Sequence, residues 1–241
     1  MYEARIYRRY SNPEDLTTFR IVEGESDLFI AAEKDLSHQT AEYLNRLRSD
    51  LDSYIYTRPE FKESLEPIDF DEKAPQIVKN MLICSSKVGV GPMASVAGAI
   101  AGLLGEHLLQ YSSQIIIENG GDIYISSDKK RRLCVYAGKS CFSERIAIEI
   151  GPEDTPCGIC TSSGTVGHSH SFGKADAVVV ISRNADLADA AATQICNKVK
   201  IDSDIEKAID WGKGIDGLNA ILIVLKNRIG VWGNIKLVDI S

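Results

Sequence analysis

The stretch Cys157-Gly-Ile-Cys160-Thr-Ser-Ser-Gly164-Thr-Val-Gly167-His168-Ser-His170-Ser-Phe-Gly173 leads into the apolar run Val178-Val-Val-Ile181 and, after a polar break, into Ala188-Asp189-Ala-Ala-Ala-Thr193. Gly164, Gly167 and Gly173 let the backbone turn sharply and approach a ligand closely. The β-branched run over 178–181 predicts a buried strand. Asn184 or Asp186 can then cap a helix. On that helix Asp189 and Thr193 are four apart, so their oxygens share one face. A carboxylate and a hydroxyl beside a glycine loop suit a hard cation and its phosphate ligand. A first-turn acid favoured by the helix dipole explains Asp189 equally well.

Upstream, Ile115-Ile-Ile117 and Ile123-Tyr-Ile125 read as strands joined by Glu118-Asn119-Gly120-Gly121-Asp122. Asn-Gly is a strong hairpin signal. The same residues also put two acids and an amide beside two glycines, where a ligand can approach the backbone. A helix over 93–110 is predicted, preceded by Gly89-Val-Gly91-Pro92. Its start exposes free amides, a ready anion site, and Pro92 suits a first helical turn. Gly98, Gly102 and Gly105 cost about 1 kcal/mol each against alanine in a helix, so another backbone or a flat ligand is expected against that face.

Nearer the N-terminus, strands are expected over 4–9, 17–22 and 28–32 as an antiparallel meander. A helix opened by Asp35 or Ser37 carries Ala41, Leu44, Leu47, Leu51 and Tyr54 on one face. Residues 59–75 read as an acidic surface excursion, 77–84 as a helix. Strands follow over 132–136 and 145–150. Beyond the central stretch come a short helix over 205–211 and strands over 218–225, 228–232 and 235–238.

A chain of 241 residues can bury a sizeable core. The net charge of −7 leaves no excess of Lys and Arg to neutralise nucleic-acid phosphates. The basic cluster Lys129-Lys-Arg-Arg132 lies between two strands and reads as a solvated turn. No apolar leader region opens the chain. The weakly polar run over 88–104 is broken by Gly89, Gly91 and Pro92, which fits a packed internal helix better than a membrane span. The expectation is a cytoplasmic protein with no membrane or nucleic-acid partner; a homo-oligomer stays open. The six cysteines include one Cys-x-x-C pair, Cys157 and Cys160, with no second pair to complete a zinc site. Buried reduced thiols are the default.

The ordered set of the Gly89–Gly105 helix start, Asn119-Gly-Gly-Asp122, Thr161-Ser-Ser-Gly164 and Asp189-x-x-x-Thr193 resembles the ApbE superfamily of flavin transferases. The chain is read as one ApbE-like domain over 1–241, with the resemblance strongest over 85–197. The resemblance implies an α+β fold of antiparallel sheets backed by helices, with a flavin nucleotide, FAD or FMN, in a central cleft. It implies Mg²⁺ held by Asp189 and Thr193, and transfer of FMN from FAD. Gly89, Gly91, Asn119, Gly120, Gly121, Asp122, Thr161, Ser162, Ser163 and Gly164 would contact the small-molecule nucleotide, with His168 and His170 as acid–base groups. The chain departs from the family pattern in lacking its lysine near 97–102, the proline of its histidine segment and its secretory signal. Three functions follow as alternatives: a Mg²⁺-dependent enzyme acting on FAD, FMN or a related nucleotide; a flavin-binding protein without turnover; or a thiol enzyme using Cys157 and Cys160 beside the histidines.

Overall fold

A computed structural model describes residues 13–165 and 171–240. Eight strands form one antiparallel sheet: β1 (Thr17–Glu23), β2 (Ser26–Ala32), β3 (Ile115–Asn119), β4 (Asp122–Ser126), β7 (Cys157–Ser162), β8 (Ala177–Ser182), β9 (Leu218–Leu225) and β10 (Arg228–Gly233), in that order. The strands β5 (Arg131–Cys134), β6 (Ile146–Ile150) and β11 (Lys236–Asp239) form a second sheet in the order β11-β6-β5. The helices are α1 (Ser37–Thr57), the single turn α2 (Glu60–Glu63), α3 (Gln76–Val88), α4 (Val96–Leu108), α5 (Ala185–Lys198) and α6 (Asp204–Lys213). The fold is therefore α+β, with antiparallel sheets backed by helices.

Side chains alternate across a strand, and here both faces of the large sheet are covered. Ile115, Ile117 and Tyr124 pack under α1, α3 and α4, while Ile116 and Ile125 face the small sheet. In the other half, Val178, Val180, Ile221 and Ile223 lie under α5 and α6, and Val179, Ile181, Leu222 and Val224 face the small sheet. Burial on both faces is why these strands read as continuous apolar runs rather than alternating ones.

Several expectations need adjusting. The strand expected over 4–9 lies outside the described residues. On α1 the buried face is Thr40, Leu44, Leu47, Leu51 and Tyr54; Ala41 is exposed. The 59–75 excursion is anchored inward, with Phe61 fully buried. The helix expected over 93–110 starts as a 3₁₀ turn, Pro92–Ser95, before α4. The basic run is a solvated turn as expected, except that the Arg131 side chain is mostly buried and pairs with Asp15, while Lys129 also reaches Asp15 and Arg132 reaches Glu149. Among the described residues no single helix is long and apolar enough to cross a membrane; α3 and the following helical segment qualify only together, and they are bent by 102°.

The glycines of α4 are explained by packing. A Cβ on Gly98 would overlap the Ala185 carbonyl, and one on Gly105 would overlap the Tyr124 ring. They let α5 and β4 come close to α4, and α5 is thereby brought to the site.

Candidate functional site

Asn184 caps α5, its side chain accepting the Leu187 amide at 2.8 Å. The helix so started places Asp189 one turn in, where its Oδ2 accepts the Gly98 amide at 2.8 Å. The first turn of α4 thus spends its free amides on a protein carboxylate. Asn119, at the end of β3, donates to the Ala97 carbonyl at 3.2 Å and joins the β3–β4 turn to the same place. That turn is a two-residue hairpin in which Asn119 pairs with Asp122 and Gly120 and Gly121 have φ of 70° and 110°, values that glycine adopts at no steric cost. Across the turn Asp122 accepts the Thr161 amide from β7 at 3.2 Å. Hairpin, α4 start, β7 end and α5 therefore converge.

Their electrostatics are unusual. Asp122 and Asp189 are 7% and 8% exposed. Burial pushes the Asp122 carboxyl up to about 7. Burial, together with the nearby Asp122 charge, holds Asp189 well above the ordinary carboxylate range. Among the described residues no Lys, Arg or His forms an ion pair with either. Two adjacent buried carboxylates without a counter-ion disfavour their own ionisation. The half-buried Thr193 hydroxyl, one turn beyond Asp189, makes no hydrogen bond to the described residues. Cation-free carboxylates beside an unused hydroxyl fit a small divalent cation, although among the described residues no cluster of three His, Cys, Asp or Glu completes such a site alone. A ligand's own oxygens must supply the remainder.

Other predicted residues have different duties. Gly89 is the left-handed C-cap of α3, with φ of 76°, and its amide bonds the Ser85 carbonyl. Gly91 is buried, and any Cβ there would overlap the Ser64 carbonyl. Both glycines shape the chain before α4, and the Gly89 amide is not free for an anion. Ser163 bonds the Asp176 carbonyl at 2.8 Å, and the Gly164 amide bonds the Ala175 carbonyl at 2.9 Å, so the end of β7 is tied to the residues that lead into β8. The Ser162 hydroxyl is buried beside the Cys196 thiol and has no hydrogen-bond partner of good geometry. His168 and His170 lie outside the described residues.

The thiol reading fails on geometry. Cys157 and Cys160 are three apart on a strand, so they face opposite sides of the sheet, Cys157 towards the small sheet and Cys160 towards α5. Burial pushes the Cys157 thiol up to about 12 and also holds the Cys160 thiol well above the ordinary thiol range. Neither has the accessible thiolate that such chemistry needs. Cys160 instead packs beside both carboxylates and bonds the Ala185 carbonyl. Sequence reasoning missed this neighbour, and it missed Asp186, whose carboxyl is buried, raised to about 6 by that burial, and left with one unpartnered oxygen. Placing β7's register against α5 would have found both.

The family model described as "AbpE bacteria" matches residues 8–230. The chain belongs to that family. A UPF0280 protein of Methanocaldococcus jannaschii is 40% identical over 226 residues, covering 90% of each chain. One from Methanospirillum hungatei is 43% identical over 209 residues, covering 86% of this chain and 83% of its relative. Among solved structures, the flavin transferase ApbE from Vibrio cholerae superposes with a TM-score of 0.59 over 95% of this chain and 98% of that one, at 12% identity. The flavinyl transferase ApbE of Pseudomonas stutzeri gives 0.61 over 90% and 94%, at 11% identity. The family thus shares the fold of flavin transferases.

Proposed function

We propose that the cleft between the Asn119–Asp122 turn and α5 binds FAD, FMN or a related nucleotide together with Mg²⁺ and catalyses reaction at its phosphate linkage. The observation that carries this reading is the pair of buried carboxylates, Asp122 and Asp189, held next to each other by backbone amides with no cationic side chain to neutralise them. Asp189 and Thr193 would hold the ion, with the nucleotide's phosphate oxygens completing its shell. The ion would supply charge withdrawal from the bridging phosphate oxygen. The chain's own part is positional. Gly98 orients the Asp189 carboxylate through its amide. Asn119 fixes the hairpin against α4. Gly120 and Gly121, lacking side chains, let a flat ligand reach the turn. Asp122, raised to about 7, is placed to hold or release a proton near neutral pH.

A calorimetric titration with FAD, with and without Mg²⁺, tests this together with an assay for released AMP. The expected result is nucleotide binding at least tenfold tighter with Mg²⁺, and release of AMP that stops in Asp189→Asn. Binding strengthened by Mg²⁺ without AMP release supports the binding-protein reading. Equal affinity with and without Mg²⁺, unchanged in Asp189→Asn, refutes the cation site.

A further inference from the structure

A groove of about 650 Å³ lies away from the carboxylates, where Thr165, residues 174–176, the loop after α5 and the β9–β10 turn meet. That volume is in the range of small-molecule sites. Its charged lining is dominated by Lys174, Lys200 and Lys226. All three are exposed, and among the described residues none forms an ion pair with a carboxylate. Of the two acids of the groove, one faces an arginine and the other is buried in the groove wall, held by neutral donors of residues that line it. Asp202 lies 3.7 Å from Arg228, and the buried Asp176 accepts from the Thr165 hydroxyl and the Lys226 amide. In a chain of net charge −7 this is a local concentration of opposite sign.

Each lysine also stands on a fixed backbone. The Lys174 amide bonds the Val199 carbonyl at 2.7 Å. The Lys200 and Ile201 amides both bond the Asp204 carboxylate at 3.0 Å. Lys226 is held at both ends, its amide by Asp176 and its carbonyl by the Ser140 hydroxyl. It also has φ of 55°, and Asn227 beside it in this two-residue turn does not share the positive φ. Glycine is the usual residue at such a first position, and a bulky side chain there is an outlier. A strained residue fixed by its surroundings points to use of its side chain. Beside the ammoniums, Leu225 and the 61%-exposed Ile201 add an apolar wall.

We propose that this groove is a second ligand site, for a small phosphate monoester carrying a planar or apolar body, as a nucleoside monophosphate does. The phosphate dianion meets the three ammonium groups and the Ser203 hydroxyl. The body lies along Ile201 and Leu225. The site needs no metal, and it stands whether or not the carboxylate cleft takes flavin.

Calorimetry with AMP as probe, free of divalent cations, tests it. Saturable one-to-one binding is expected, weakening as salt is raised. Lys200→Gln and Lys174→Gln should each weaken it at least about fivefold, because each removes a charge-assisted hydrogen bond. Lys226→Gly should weaken binding likewise while melting temperature holds or rises, because glycine relieves the positive φ. Lys62→Gln, on α2, and Asp189→Asn should bind AMP as the wild type does. Absence of saturable binding overturns the proposal, as does wild-type affinity in Lys226→Gly. Loss of AMP binding in Asp189→Asn would move the anion to the cleft. Displacement of AMP by a single-stranded RNA at lower concentration than by free phosphate monoesters would make the groove a surface for a macromolecule and equally overturn it.

Discussion

The carboxylate pair and the lysine groove both draw on the stretch from β7 to the end of α5, yet they solve opposite electrostatic problems. Asp122 and Asp189 are buried against amides and a thiol, and burial disfavours their charge. In the groove, Lys174, Lys200 and Lys226 keep their ammonium groups in water, and only their backbones are tied down. Buried charge makes a region whose properties follow pH, and on the proposed function metal, and barely salt. Exposed charge makes one that responds to salt and barely to metal.

The sharpest way to break the contrast is at Gly98. A methyl there would collide with the Ala185 carbonyl and the Asp189 side chain. Gly98→Ala should lower stability by about 3 kcal/mol, the range of overpacked cores, and should abolish Mg²⁺-dependent nucleotide binding; urea unfolding measures the first effect. A stable Gly98→Ala variant with intact metal dependence would mean that α4 and α5 are not held as described.

Next in size is Asp189→Ala. Mg²⁺-dependent FAD affinity should fall about a hundredfold, or roughly 3 kcal/mol, while AMP affinity at the groove stays put. Equal losses at both sites would merge them into one.

A pH experiment sharpens the comparison further. Asp122 ionises near 4 when unfolded and near 7 in the fold. Its raised pKa favours the protonated folded state, so that contribution is full below pH 4 and is lost as pH rises through 7. Without divalent cations, Asp122→Asn should therefore gain about 2 kcal/mol relative to the wild type between pH 5 and pH 8. A stability difference that does not change with pH would show that Asp122 carries no such strain.

The smallest expected effect is at the helix start. Asn184→Ala removes the cap of α5 and should cost about 1 kcal/mol by thermal unfolding. Metal-dependent binding should weaken with it, because α5 carries Asp189, and the groove should not respond.

Much of this could be read from the sequence wherever one residue's neighbours are local. Leu44, Leu47, Leu51 and Tyr54 mark α1 because helical spacing alone groups them. The runs at 115–117 and 178–181 mark strands because both faces are covered. Asn119 to Asp122 could be read as a hairpin turn from Asn-Gly alone, and Asp189 with Thr193 as neighbours on one helix face from their spacing of four; only the family resemblance joined the two. Long-range packing was not readable. Nothing near Gly91 signals that Ser64 will press against it, and nothing near Cys160 tells that the Ala185 carbonyl will meet its thiol. The pairing of β11 with β6 spans some ninety residues, from Ile146 to Asp239, and no local pattern encodes it. The strain at Lys226 is equally silent, for lysine in a turn looks ordinary until its backbone angle is known.

That last strand pairing also sets an order of events for a chain leaving the ribosome. β5 and β6 can pair as soon as they emerge, and the neighbouring strands of the large sheet can form one after another. The layer that covers Val179, Leu222 and Val224 stays incomplete until residues 236–239 arrive. Domains assemble as units during synthesis, and surface left uncovered meanwhile is prone to aggregate. The segment Lys236–Asp239 is therefore the last part of that layer to be made, and until it pairs, one edge of β6 and the apolar surface under Leu237 stay open to other chains.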